Sequence, residues 1–242
     1  MYEFYAAIED YDAYAESSQQ PVFWAPIKRE IEERAARGLR SRVLEFGAGR
    51  TGFAQYLGPL RESVEFHVQD ITDRNREDLA RKADTLVFEP LERVQGAYDI
   101  IFSTFVWEHL SRPRASLFAL LRLLAPGGTL YLASPRYDLP GYVPPSARHL
   151  TRARQLALSS WLSARRLRVA LGGAPEFLLH AAPACLSVPW FRDADAIHWV
   201  SRFDLRVLEP EYRIEDIEVP VSGLKQWVWA RFALLFVRIR RR

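Results

Sequence analysis

The stretch Glu45-Phe46-Gly47-Ala48-Gly49-Arg50-Thr51-Gly52, with a further acid at Asp70, holds the residues whose types and spacing point most directly to chemistry. Gly47, Gly49 and Gly52 match the spacing of a glycine turn between a strand and a helix, where missing Cβ atoms let the backbone pass close to a ligand. The Asp70 carboxylate, about twenty positions further on, can accept hydrogen bonds from both hydroxyls of a ribose. Together these signals suit a dinucleotide or another adenosine-containing cofactor. Glu45 separates the two, because a carboxylate at the end of the strand before the turn repels a pyrophosphate and attracts an ammonium. A nucleoside bearing an amino acid is therefore favoured.

These residues need a scaffold, and the hydrophobic pattern supplies one. FWAPIKREIEERAAR (23–37) reads as a helix with Ile27, Ile31 and Ala35 on one face, closed by Gly38. RVLEFG is a strand, followed by the glycine turn and a helix from about Thr51 to Leu57 that stops at Gly58 and Pro59. VEFHVQD (64–70), DTLVFEP (84–90), YDIIFSTF (98–105) and TLYLASP (129–135) are further strands, separated by the helices RNREDLARKA and WEHLSRPRASLFALLRLL. Such alternation predicts a parallel sheet covered on both faces.

From Arg136 to Trp199 the alternation lapses. Prolines punctuate a loop, and TRARQLALSSWLSARRLRVAL forms a basic amphipathic helix that mixes Leu156, Trp161 and Leu167 with five arginines. This insert is expected to cap the sheet. A helix then opens at Ser201, with Asp204 in the acid slot of a capping box. YRIEDIEVP gives a sixth strand, and ALLFVRIRR, alternating apolar and basic at its end, a last one. The expected divisions are an N-terminal helical segment (1–40), a cofactor-binding core (41–135), a helical cap (136–199) and a completion of the sheet (200–242).

His109 is the best-placed ionisable group for catalysis, since EHL follows the fourth strand at the rim of the cleft. A neutral imidazole can take a proton from a hydroxyl or amine. Glu108 is its neighbour, but neighbouring helical residues face different ways, and no metal site is expected. His67 lies within a strand and reads as structural, and Cys185 has no thiolate-stabilising signature.

At this point the chain resembles the class I S-adenosylmethionine-dependent methyltransferases. The first family motif matches Glu45, Gly47 and Gly49, and its ribose-binding acid matches Asp70. The fourth-strand motif matches YDIIFSTFVWEHL, and the motif after the next helix matches LLAPGGTLYLASP. The resemblance runs from Arg42 to Pro135 and resumes from Ser201. It implies S-adenosyl-L-methionine as cofactor, a doubly wound α/β fold with a mostly parallel seven-stranded sheet, and a last strand running antiparallel. It further implies that Ile71 lies against the adenine and that Ser103 and Thr104 line the sulfonium side. The Asp usual after the third strand is missing, and Glu89 takes its place. The expected activity is O- or N-methylation of a small molecule, glycan or secondary metabolite. The competing readings are a nicotinamide-dependent oxidoreductase, disfavoured by Glu45 and by the lack of a Tyr-x-x-x-Lys pair, and a binding protein without turnover.

Composition bounds these expectations. The 242 residues are 49% hydrophobic and 26% charged, which excludes disorder. A single cysteine excludes an internal disulfide framework and fits a reducing compartment. The first twenty residues lack the basic start and apolar run of a secretory signal, so a cytoplasmic location is expected. The longest apolar stretch, Trp227 to Ile239, is interrupted by Arg231 and Arg238 and falls short of a membrane span. A net charge of +3 does not imply nucleic acid as a partner. Contact of the basic helix or the tail with a membrane surface is the less favoured reading, a lid and a sheet strand being preferred.

Overall fold

A computed structural model describes residues 21–186 and 194–242; the first twenty residues of the expected N-terminal segment lie outside them. The elements in chain order are α1 (Pro21–Ala35), β1 (Ser41–Phe46), α2 (Phe53–Leu57), β2 (Val64–Gln69), α3 (Arg76–Ala80), β3 (Thr85–Val87) and β4 (Tyr98–Thr104). They continue with α4 (Pro113–Arg122), β5 (Leu124–Pro135), α5 (Arg152–Ala170), β6 (Tyr212–Asp216), α6 (Leu224–Phe232) and β7 (Leu234–Arg241). The strands form one seven-stranded sheet in the order β3-β2-β1-β4-β5-β7-β6. All neighbours are parallel except β7, which runs antiparallel to both β5 and β6. This is the doubly wound α/β fold, with its antiparallel last strand, that the sequence predicts.

The two-residue period of a strand explains the two helical layers. Val43, Phe66, Ile100, Phe102, Tyr131 and Phe236 share one core with Phe23, Ile27 and Ile31 of α1 and Phe53 of α2. Their strand neighbours Leu44, Ile101, Leu130, Leu132, Val237 and Ile239 share the other with Leu117, Leu120 and Leu121 of α4 and with Leu205. Each central strand is thus apolar on both sides, and its carboxyl end is free to carry polar groups.

Four elements differ from expectation. The helix expected over 107–124 is divided into a 3-10 turn, Trp107–His109, and α4. Pro113 cannot donate to a preceding turn, and Arg112 before it leaves helical geometry, at φ −130° and ψ 58°. The helix opening at Ser201 is a 3-10 helix, Arg202–Leu208, and its capping box is complete: Ser201 accepts from Phe203 N while Asp204 accepts from Ser201 N. β6 ends at Asp216, short of the nine residues read as a strand, as Pro220 and Gly223 approach. The strand read over ALLFVRIRR is β7, but ahead of it Gly223, at φ 90°, opens α6, a helix that the sequence reading did not contain.

The described part of 136–199 holds the 19-residue helix α5, two 3-10 turns and the bridge Leu179↔His198. Arg166 of α5 is almost wholly buried and holds this segment to the rest. It donates to Asp204 Oδ1 at 3.2 Å, to Glu176 O at 3.2 Å and to Trp199 O. The apolar residues picked out on α5, Leu156, Trp161 and Leu167, are exposed; its buried apolar residues are Leu162 and Val169.

Candidate active site

The carboxyl ends of β1, β2 and β4 meet at the glycine turn. Gly47 N and Ala48 N both donate to Gln69 O, at 2.8 and 3.1 Å, so the turn continues the β1–β2 ladder past the strand ends. Gly47 sits at φ 74°, and a Cβ there would lie 2.4 Å from Cγ2 of Val106, just beyond β4. Glycine is required at 47 for both its backbone angle and the close passage of Val106. Gly49, at φ 54°, donates its amide to Asp70 Oδ2 at 2.7 Å. Gly52 has an ordinary φ of −103° as it opens α2, so the left-handed geometry that explains glycine at 47 and 49 does not extend to 52.

Asp70 is buried, and its Oδ1 accepts from Thr72 N at 3.3 Å. Burial raises its pKa, opposed by bonds from the Gly49, Thr72 and Ile71 amides. Three amides leave part of the carboxylate's acceptor capacity open, which suits a hydroxyl donor. Ile71, beside it, is 47% exposed, an apolar face next to the sugar acid. Glu89 holds Gln69 Nε2 through its backbone carbonyl at 2.9 Å, which leaves its exposed carboxylate at the β3 end of the same rim.

Glu45 is almost wholly buried at the end of β1. Desolvation pushes its carboxyl up to about 8; a Thr51 hydroxyl bond opposes this and the Asp70 charge adds to it. Its Oε2 has no hydrogen-bond partner among the described residues. A buried carboxylate oxygen with nothing to accept is costly. A cation placed against it would remove that cost, so the residues here fit a nucleoside with a cationic amino acid.

Ser103 and Thr104 are buried at the end of β4, where Ser103 Oγ donates to Phe46 O at 3.0 Å and so locks β4 to the end of β1. Phe105 follows at φ 56°, the one non-glycine residue with positive φ among those described. Its ring packs edge-on against Phe23 at 5.1 Å. Strain of this kind gathers at functional turns.

His109 lies in the 3-10 turn rather than on a helix, and there adjacent residues do come together: Nε2 is 3.7 Å from Glu108 Oε1. Its Nδ1 is 2.9 Å from Asp195 Oδ2, a residue of the 136–199 segment that the sequence did not single out. Ser134 Oγ donates to Glu108 Oε2 at 2.9 Å. His198 N donates to Glu108 O at 2.8 Å, and His198 Nε2 meets Asp204 Oδ2 at 3.1 Å. The turn after β4 is therefore clasped by the insert through the His109–Asp195 pair and through His198, whose amide and Nδ1 reach the carbonyls of Glu108 and Trp107. Nothing in local spacing signals Asp195, which is 86 positions from its partner by residue number.

His67 and His180 are held away from this turn. His67 is held by Glu65 Oε1 at 2.7 Å and Tyr98 Oη at 3.2 Å. His180 lies against the Trp199 ring at 4.9 Å. Desolvation raises the Cys185 thiol, which keeps it protonated.

A family model described as a methyltransferase domain matches residues 17–208. Among solved structures, the Burkholderia thailandensis 1,6-didemethyltoxoflavin-N1-methyltransferase, with bound 1,6-didemethyltoxoflavin and S-adenosylhomocysteine, has a TM-score of 0.57 at 15% identity, covering 99% of this chain and 87% of that one. The plantazolicin methyltransferase BpumL, in complex with a pentazolic desmethylPZN analog and S-adenosylhomocysteine, also scores 0.57, at 10% identity, covering 99% and 93%. At such identities these likenesses speak for the fold. No curated protein matches the chain. Four fifths of the sequence fall within the family model, over the glycine turn, the ribose acid and the post-β4 turn, and the chain belongs to the class I S-adenosylmethionine-dependent methyltransferases.

Proposed function

We propose that the chain methylates a hydroxyl or amine of a small-molecule acceptor, with Glu45, Gly47, Gly49, Asp70 and Ile71 holding S-adenosyl-L-methionine. The observation that carries this reading is the buried, unpartnered Oε2 of Glu45 beside the left-handed glycine turn. Glu45 receives the ammonium, Asp70 the ribose hydroxyls, Ile71 one adenine face and Glu89 the adenine edge. Gly52 opens the helix behind the turn, and Ser103 and Thr104 close the floor near the reacting methyl. The relatives with bound small acceptors, a toxoflavin precursor and a desmethylplantazolicin analog, support an acceptor of that class.

The bound cofactor supplies an electrophilic methyl carbon on a sulfonium that departs as a neutral thioether. What remains for the protein is alignment, exclusion of water and a place for the acceptor's proton. Phe105 and Val106 press the β4 exit onto Gly47, which fixes the acceptor side of the cleft relative to the turn. His109 takes the proton at Nε2, and the Asp195 carboxylate beside Nδ1 stabilises the imidazolium that forms. The cleft lies among the core and the segment 136–199, which serves as the cap.

Calorimetric titration with S-adenosylhomocysteine and with NAD tests the cofactor assignment, and a labelled-methyl screen over acceptors tests the reaction. Binding of NAD in place of S-adenosylhomocysteine would overturn it.

A further inference from the structure

We infer that α6 is a docking helix for an anionic lipid surface, which it enters with Leu224, Trp227, Val228 and Phe232. None of its nine residues is buried: Leu224 is 77% exposed, Trp227 50% and Phe232 39%. At helical spacing these four side chains fall within an arc of about 140°. So much contiguous apolar surface on a short element marks a contact site rather than scattered exposure.

The fold holds the backbone of this helix and leaves its side chains over. Arg136, directly after β5, donates to the carbonyls of Phe232, at 3.1 Å, and Arg231. It satisfies the carboxyl end as a cation should. At the other end Gln226 Oε1 accepts from Ser222 N at 3.1 Å. Packing resumes only at Ala233, which is buried. The helix is thus held at both ends, and none of its side chains joins a hydrophobic core cluster of the described residues.

Charge selects the occupant. Lys225 and Arg231 flank or interrupt the apolar arc, and no acidic residue follows Glu218 in the chain. A second copy of the helix laid against the first would bring like cations together, which is unfavourable. An anionic headgroup layer suits both features: tryptophan indoles favour the interface, and lysine and arginine extend from the apolar region to the phosphates. α6 precedes Leu234, which pairs with Pro135 at the carboxyl end of β5, the same end of the sheet as the glycine turn. Docking through α6 turns the cleft end of the molecule toward the lipid. No helix among the described residues is long and apolar enough to cross a membrane, so contact through α6 is peripheral.

The test is flotation of the full chain with vesicles of phosphatidylcholine alone, and of phosphatidylcholine and phosphatidylglycerol in about equal amounts. The wild type should float with the anionic vesicles and less with the neutral ones. Leu224→Ser/Trp227→Ser/Phe232→Ser should lower the floated fraction at least about tenfold while binding S-adenosylhomocysteine like wild type, which separates this result from any failure of the methyl-transfer reading. Lys225→Glu/Arg231→Glu should abolish the preference for the anionic vesicles. A wild type that stays unbound, a triple variant that floats equally well, or a dimer seen by light scattering that the triple variant dissolves without any vesicle binding, overturns the inference.

Discussion

The amide of Gly49 donates to the Asp70 carboxylate at 2.7 Å, joining the glycine turn after β1 to the acid at the end of β2. One residue thereby shapes the turn and, in the proposed site, offers the sugar its acceptor. Asp70→Ala should lose the loop bond and the ribose bonds together, and weaken S-adenosylhomocysteine at least about tenfold. Asp70→Asn keeps the carbonyl acceptor for Gly49 and should bind better than the alanine variant. Calorimetry on both checks this, and equal affinity for wild type and alanine would remove Asp70 from the site.

Gly47→Ala meets two separate obstacles, a positive φ and a Cβ placed 2.4 Å from Val106 Cγ2. It should cost about 1–3 kcal/mol in stability and weaken cofactor binding. Adding Val106→Ala should restore the steric share and leave the backbone share, so the double variant lies between Gly47→Ala and the Val106→Ala reference. Denaturant titration of the four proteins measures the coupling. Full additivity would mean that the turn and the β4 exit do not press on one another.

Glu45 makes the protein's stability and its cofactor affinity depend on pH in opposite senses. Its folded-state pKa of about 8 lies above the ordinary glutamate value of 4.5, so the folded form binds the extra proton between them. The free protein should lose stability as pH rises from about 4.5 to about 8, with Asp70, also raised, contributing in the same direction. Glu45→Gln should flatten that slope in a thermal melt. Pairing with an ammonium requires the ionised carboxylate, so binding near neutral pH should release a proton. Calorimetry in buffers of different ionisation enthalpy detects this release, which the glutamine variant should lack.

His109 and Asp195 can be separated by their pH profiles once an acceptor is known. His109→Ala should lower kcat by about 100-fold or more with little change in cofactor affinity. In Asp195→Asn the imidazolium loses its carboxylate partner, so the acid limb of the rate profile should move to lower pH. Retained turnover in His109→Ala would make the pair a clasp between the insert and the β4 exit, and leave proximity as the catalytic device.

The sequence alone determined the strand–helix alternation, the glycine turn, the acid at the end of β2 and the capping box at Ser201, because each is a local pattern whose period or spacing reports its own geometry. The seven-stranded sheet and its antiparallel last strand came through family resemblance rather than pattern, and the strand order only through the structure. Tertiary structure decided the rest. Pro113 divides a segment that reads as one helix, since its hydrophobic period continues across the break. The family resemblance places the tail in a terminal strand, yet Gly223 and the Arg136 cap make its first half a helix none of whose residues is buried. Val106 explains why Gly47 must be glycine, and Asp195 meets His109 across 86 positions. Such contacts join residues distant in the chain, so no periodicity or spacing in the sequence can encode them. They exist only where the sheet brings its carboxyl ends together.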